Sequence, residues 1–162
     1  MKTGCLLLGP LLLLAACAVQ PPAPGSTEAQ AVAALGRVTG RYPLPGGGQR
    51  LEFATGPMGR TTWMVDLGPD GRSTRAEQVL NTAHFAAFAE RAPGMTPDEL
   101  LRTLGRPGER RPAGLAGGET WSWRYPTNEC LWFQVSVGAD GRVIGGGYGI
   151  DPVCDVNDNA RP

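Results

Sequence analysis

Lysine occurs once in the 162 residues, at Lys2, and histidine once, at His84; the remaining basic residues are arginine. A phosphate-cradling loop of the P-loop type needs a lysine directly after its glycines, and Lys2 has no such context. Most hydrolytic and metal sites draw on more than one histidine, so the composition leans toward binding rather than catalysis, with no cofactor expected. Charge excess is missing too: 15 basic and 15 acidic side chains cancel. A nucleic-acid partner is therefore not expected, because such proteins need a basic surplus to displace counterions. Nor is there a membrane-length apolar run near the N-terminus. Cys5–Ala16 (CLLLGPLLLLAA) is uncharged, but as a helix it would reach only about 18 Å at ~1.5 Å per residue. That is well short of a hydrocarbon core of about 30 Å, and Gly9-Pro10 interrupts it. Glycine (24) and proline (15) together make up about a quarter of the chain, twice the usual share, and break it into short elements. This argues against a large helical bundle. The 41% of hydrophobic residues still allow one ordinary domain or two very small ones.

The apolar run reads as the core of an export signal, preceded by Met1-Lys2-Thr3. It ends in Leu14-Ala15-Ala16-Cys17, which resembles the bacterial lipobox. That resemblance implies removal of residues 1–16, acylation of Cys17 as the mature N-terminus, and, with Ala18 in second place, sorting to the outer membrane. Long acyl chains contribute roughly 0.8 kcal/mol per buried methylene, so two or three hold a protein on a membrane stably. Cys5 leaves with the signal and Cys17 carries lipid. Cys130 and Cys154 remain, and in an oxidising compartment this even pair is expected to form a disulfide. Residues 17–26 are then the lipidated cysteine and a proline-rich, extended tether.

The rest contains an internal repeat. Leu35-Gly36-Arg37 recurs as Leu104-Gly105-Arg106, Gly47-Gly48 as Gly117-Gly118, and Gly68-Pro69-Asp70-Gly71-Arg72 as Gly138-Ala139-Asp140-Gly141-Arg142. Leu51 and Phe53 match Trp121 and Trp123, and Trp63, Val65 and Leu67 match Phe133, Val135 and Val137. The landmarks predict two α+β units, 27–80 and 81–155, each with short helices packed on antiparallel strands, and a disordered tail at 156–162. In the second unit Thr96-Pro97-Asp98-Glu99 is a capping box with proline at the first helical position. Leu100, Leu101 and Leu104 form the buried stripe, and Gly105 and Pro107 end the helix. Thr27 to Gly36 is a weaker version, with Ala31, Val32 and Leu35 as its apolar face. Thr82 to Ala92 predicts a further helix with Phe85, Phe88, Ala89 and Ala92 on one side. Alternation in Leu51–Thr55, Trp121–Tyr125 and Leu131–Val137 predicts strands covered on one face. Asp70-Gly71 and Asp140-Gly141 predict hairpins returning through Arg72 to Leu80 and Val143 to Tyr148. In that register Cys130 falls opposite about Gly149.

Gly94-Met95-Thr96-Pro97-Asp98-Glu99-Leu100, followed by Leu104-Gly105-Arg106-Pro107, resembles the helix–turn–helix signature of the SmpA/OmlA (BamE-like) lipoprotein domain. The resemblance covers roughly 81–148, and 27–80 more weakly. It singles out Gly94, Met95, Thr96, Glu99, Leu104, Gly105 and Pro107 as the structural motif. It also implies a lipid-anchored protein on the periplasmic face of the outer membrane, accessory to β-barrel assembly or envelope integrity. A duplicated chain departs from the single-copy subunit of that family and resembles instead the tandem β-lactamase inhibitory proteins, which would make it an inhibitor-like binder of a periplasmic enzyme. Either way the expected partner is a periplasmic or outer-membrane protein, not a small-molecule substrate.

Other motifs carry less. His84 lacks a nucleophile and an orienting acid nearby in sequence and reads as a surface or capping residue. Asp155–Asn159 lacks the glycine and the twelfth-position glutamate of a calcium loop. Gly145–Gly149 follows a hairpin turn and precedes no helix, so it is not a dinucleotide loop. Trp121, Trp123 and Tyr125 read as core. Trp132 points away from Leu131 and Phe133, to the wetter face, where it is either covered by the disulfide-tied tail or part of a partner surface.

Overall fold

The computed structural model describes residues 19–56 and 59–157. Cys17, the signal segment and residues 158–162 of the tail lie outside them. The fold is α+β, with three α-helices and two four-stranded antiparallel sheets. In chain order these are α1 (Glu28–Leu35), β1 (Gly40–Pro43), β2 (Gln49–Ala54), β3 (Thr62–Leu67), β4 (Ser73–Gln78), α2 (Thr82–Ala89), α3 (Pro97–Leu104), β5 (Glu109–Pro112), β6 (Glu119–Arg124), β7 (Leu131–Val137) and β8 (Val143–Ile150). Each sheet is a simple meander, β1-β2-β3-β4 and β5-β6-β7-β8. Pro152–Asn157 adds a 3₁₀ segment that reaches the first two residues of the 156–162 tail.

The two sheets are built with the same local devices. In α1 and α3 a threonine, Thr27 or Thr96, accepts from the backbone N–H three residues on, and the Gln30 or Glu99 side chain reaches back. Both helices end on a glycine with positive φ, Gly36 at 89° and Gly105 at 78°. Both hairpin turns close with Gly68 or Gly138 donating to Arg72 or Arg142, and with Asp70 or Asp140 accepting from that arginine's N–H. Both are followed by an irregularity in pairing, at Asp66/Leu67 and at Ser136/Val137. The last strand of each sheet is also held at its start by the residues before a helix. Ser73 N–H donates to Ser26 C=O and Gly25 N–H to Ser73 C=O; Val143 N–H donates to Met95 C=O and Gly94 N–H to Val143 C=O. Gly25-Ser26-Thr27 is thus used as Gly94-Met95-Thr96 is, which the landmark comparison of the sequence did not pick out.

Several sequence expectations are corrected. The tether is shorter than 17–26, because Ala23–Ser26 is hydrogen-bonded to Ser73 and Pro22 is buried. Val32 is exposed; α1 buries Ala31 and leans on Leu35 and Val38. β1 and β5 are edge strands that the alternation did not reveal. β8 runs two residues past Tyr148. Asp151 N–H, not Gly149, meets Cys130 C=O (2.9 Å). The shift has two sources: the turn closes at Arg142, and the bulge beside Val137 inserts one further residue.

The first sheet is covered on both faces, not one. Leu51, Phe53, Val65 and Leu67 pack with Ala31 under α1. From the opposite face Met64 joins a larger core with Val79, Leu80, Phe85, Phe88, Leu100, Leu104, Trp121, Trp123 and Phe133. The two sheets therefore share a core, with α3 between them.

Candidate functional site

The end of the motif, Leu104-Gly105, lies at the junction between the sheets. Leu100 and Leu104 are fully buried. Gly105 lies so close to the first sheet that a Cβ would sit 2.8 Å from Thr62 Cγ2 and 3.2 Å from Glu52 Cδ and Met64 Cε. Its carbonyl accepts the Trp123 indole N–H at 3.1 Å from the second sheet. The next N–H, of Arg106, donates to Glu52 Oε2 at 3.2 Å. Glu52 is completely buried and also accepts the Tyr42 hydroxyl at 2.5 Å and the Thr39 hydroxyl at 2.8 Å. Burial and then the bond to Glu52 push the Tyr42 hydroxyl well above the ordinary tyrosine range. Glu52 was not singled out from sequence. The only signal was an acid between Leu51 and Phe53 in mid-strand, where alternation says "outward" and the second sheet's arrival makes it inward. Thr96, Glu99, Gly94 and Met95 set the start of α3, with Glu99 held below the usual carboxylate range by the Thr96 backbone N–H and then its hydroxyl. Leu104 and Gly105 thus act as a wedge between the sheets, while Gly94 and Glu99 are exposed and Met95, Thr96 and Pro107 half-buried.

Grooves open on either side of this wedge. One, of about 690 Å³, is lined by Leu35, Arg37, Thr39, Leu80, Arg106, Pro107 and Trp123 among others. The other, of about 590 Å³, lies between α2, α3 and the first sheet and presents Arg50, Arg75, Arg91 and Arg102 around His84. Arg50 is clamped by Asp66 (2.6 and 2.7 Å) and donates to Arg102 C=O at 3.0 Å, tying the sheet to the end of α3. The hydrogen bond to Asp66 holds the Arg50 guanidinium above its ordinary pKa. Arg75 pairs with Glu77 at 2.6 Å. Arg102 Nε is buried without a partner among the described residues. His84 is half-buried, not on the open surface, and it is not the cap: Asn81 caps α2 by accepting the His84 N–H. Its ring bridges elements instead, with Nδ1 3.5 Å from Glu77 and Nε2 3.3 Å from Thr103 C=O.

At the far end of the second sheet, Cys130 and Cys154 are joined, their Cα atoms 6.0 Å apart. Beside them Arg124 and Asp151 form a bidentate pair at 2.5 and 2.8 Å, both nearly buried. Burial would raise the Asp151 pKa, but the Arg124 hydrogen bonds and the Val153 N–H outweigh it and hold the carboxyl below its usual value. Trp132 is 2% exposed, with the guanidinium carbons of Arg124 and Arg111 5.2 and 5.7 Å from its ring centre. It is therefore not available as a partner surface, because the cations and Gly149 close over it. The tail-tied strand end accounts for part of that cover through Asp151, which anchors Arg124. Trp121, Trp123 and Tyr125 are buried core.

Among the described residues, no helix is long and apolar enough to cross a membrane, and no three side chains are grouped to hold a metal ion. Comparison of the chain with protein-family models, curated proteins and solved structures gives no match.

Proposed function

We propose that this protein is an outer-membrane lipoprotein facing the periplasm, anchored through Cys17 and acting as a non-catalytic protein-binding module. The reading keeps the resemblance to the SmpA/OmlA (BamE-like) domain, in duplicated form, and places the chain as an accessory of envelope or β-barrel assembly. The paired devices at Gly25-Ser26-Thr27 and Gly94-Met95-Thr96, at the helix-ending glycines and at the two hairpins support duplication. The observation that carries the binding role is the arginine-lined cleft beside α3, with four guanidinium groups against the Glu77 and Glu99 carboxylates and one buried Nε unpaired. Such a surface suits an acidic segment of a partner protein, which could meet Arg91 and Arg102 with charge-assisted hydrogen bonds. His84, engaged with Glu77 and Thr103, supports a structural role for the sole histidine.

The test is capture of partners by the full-length chain from detergent-solubilised membranes, together with acyl labelling. The wild type is expected to carry label and to retain one periplasmic or outer-membrane protein. Cys17→Ser is expected to lose the label. Arg91→Glu with Arg102→Glu is expected to lose the partner while keeping a native melting curve. Equal labelling of Cys17→Ser defeats the anchor. Retention of the partner by the charge-reversed variant defeats the cleft.

A further inference from the structure

The two arginines that follow the helix-ending glycines, Arg37 after Gly36 and Arg106 after Gly105, are repeat partners in the sequence, and the fold brings both to one place. They line the groove of about 690 Å³ at the seam, Arg37 with Leu35 from the first unit and Arg106 with Pro107 from the second. Both arginines are exposed. Among the described residues Arg37 has no hydrogen bond or ion pair, and the Arg106 side chain reaches only the Thr39 C=O, at 3.5 Å. Glu52 takes the backbone N–H of Arg106, not its guanidinium, and is occupied by the Tyr42 and Thr39 hydroxyls. A third arginine of the lining, Arg124, is committed to Asp151. What sets this groove apart is its lack of acid. The cleft beside α2 and α3 contains Glu77 and Glu99, the groove between β1 and β5 contains Glu109, and the one at the disulfide contains Asp151. Among the described residues no carboxylate lines the seam groove.

We propose that the seam groove binds a small organic acid, one carboxylate on an apolar body. A guanidinium offers parallel N–H donors that match a carboxylate, and such charge-assisted bonds are among the strong ones. A carboxylate accepts at up to about four lone-pair sites, so a single acid group can be shared by Arg37 and Arg106. The rest of the ligand lies on Leu35, Leu80 and Pro107 and leaves water in doing so. The volume falls within the range of about 300–1,000 Å³ usual for small-molecule sites, which form preferentially where two folded units meet. An acid is favoured over a cation or a neutral molecule because the lining offers two unpaired positive charges and no negative one. Because Arg37 and Arg106 belong to different units, the ligand also ties the seam together. The site is additional to the arginine cleft, which lies beside α2 and α3, and either can fail without the other.

The test uses the full-length chain in nonionic detergent and para-carboxybenzophenone, an apolar acid that bonds to its neighbours under light. Mass spectrometry of the digested protein is expected to place adducts within residues 35–39 and 106–108. The uncharged amide of the same probe is expected to label them roughly tenfold less. The Arg106 side chain takes no part in the Glu52 network, so Arg37→Gln with Arg106→Gln is expected to melt as the wild type and to lose labelling to the same extent. Arg37→Lys with Arg106→Lys keeps the charge and is expected to retain most of it. The comparison of acid with amide is made on the unaltered chain and stands whatever the variants do. Equal labelling by acid and amide, adducts spread over the surface, no labelling, or undiminished labelling of the glutamine variant overturns the proposal. A phosphonate analogue that labels these residues more strongly than the carboxylate overturns the choice of carboxylate.

Discussion

Gly105 has two roles that a single substitution separates. Its φ of 78° with ψ of −171° lies in a region open essentially to glycine, costing other residues roughly 1–3 kcal/mol. Gly36 has nearly the same backbone, φ 89° and ψ −153°, but nothing within 4 Å of its Cβ position. Gly36→Ala is therefore expected to lose the backbone term alone. Gly105→Ala also displaces Thr62, Glu52 and Met64, and its urea midpoint is expected to fall further, by at least about 1 kcal/mol of stability. Equal losses would mean that the close approach at the junction carries no energy. Asp151 gives a test in pH. Its folded pKa lies below the ordinary aspartate value of about 3.9. The stability it contributes is thus complete above roughly pH 5, and is lost as pH falls through the unfolded and then the folded pKa. Asp151→Asn leaves Arg124 buried without its carboxylate, so urea midpoints should differ widely from wild type at pH 7 and converge toward pH 3. A gap unchanged at pH 3 would contradict the pairing. The sequence showed Gly105 as a helix stop, but not as a contact. The contact depends on Glu52 and Thr62, which only the arrival of the other sheet brings to it.

Among the elements, α3 was the most legible. Thr96, Pro97, Glu99, the three leucines and Gly105 are local signals, each with its own physical reason. Leu104 is fully buried in the shared core, so Leu104→Ala is expected to cost about 2–5 kcal/mol. Thr96→Ala removes a cap at the surface and is expected to cost about 1 kcal/mol. Thermal or urea unfolding of the two variants checks the order, and a larger loss at Thr96 would contradict it. The strands facing the core were legible because large apolar residues alternate there. β1 and β5 were not: GRYP and ERRP are four residues each, end in proline and show no alternation. They exist because longer neighbours offer them a ladder. Register was beyond the pattern as well. Period two survives a bulge unchanged on either side, so the residue added beside Val137 becomes visible only when Asp151 is found against Cys130.

At the scale of the molecule, the repeat predicted two units without saying whether they share one sheet; the structure gives two sheets with a common core and a buried glutamate at the seam. Trp132 is closed off separately, by Arg124, Arg111 and Gly149 at the far end of the second sheet, whereas that seam buries Leu104 and Gly105 of the motif. What remains outward on this side is charge: Arg75 and Arg91 at the mouth of the cleft, with Arg102 deeper in. On the proposed reading, the resemblance of Leu14-Ala15-Ala16-Cys17 to a lipobox is the sole ground for an anchor at a membrane, and the cleft is the feature through which a neighbouring protein would be held. The most direct measurement is therefore made in living cells, with a photo-cross-linking residue in place of Arg91 and, as control, in place of Ser136. The expected result is one strong adduct from position 91 with a periplasmic or outer-membrane protein, and none from position 136. Adducts of equal strength from both positions, or none from position 91, would contradict the assignment of this protein as a partner-binding module of the envelope.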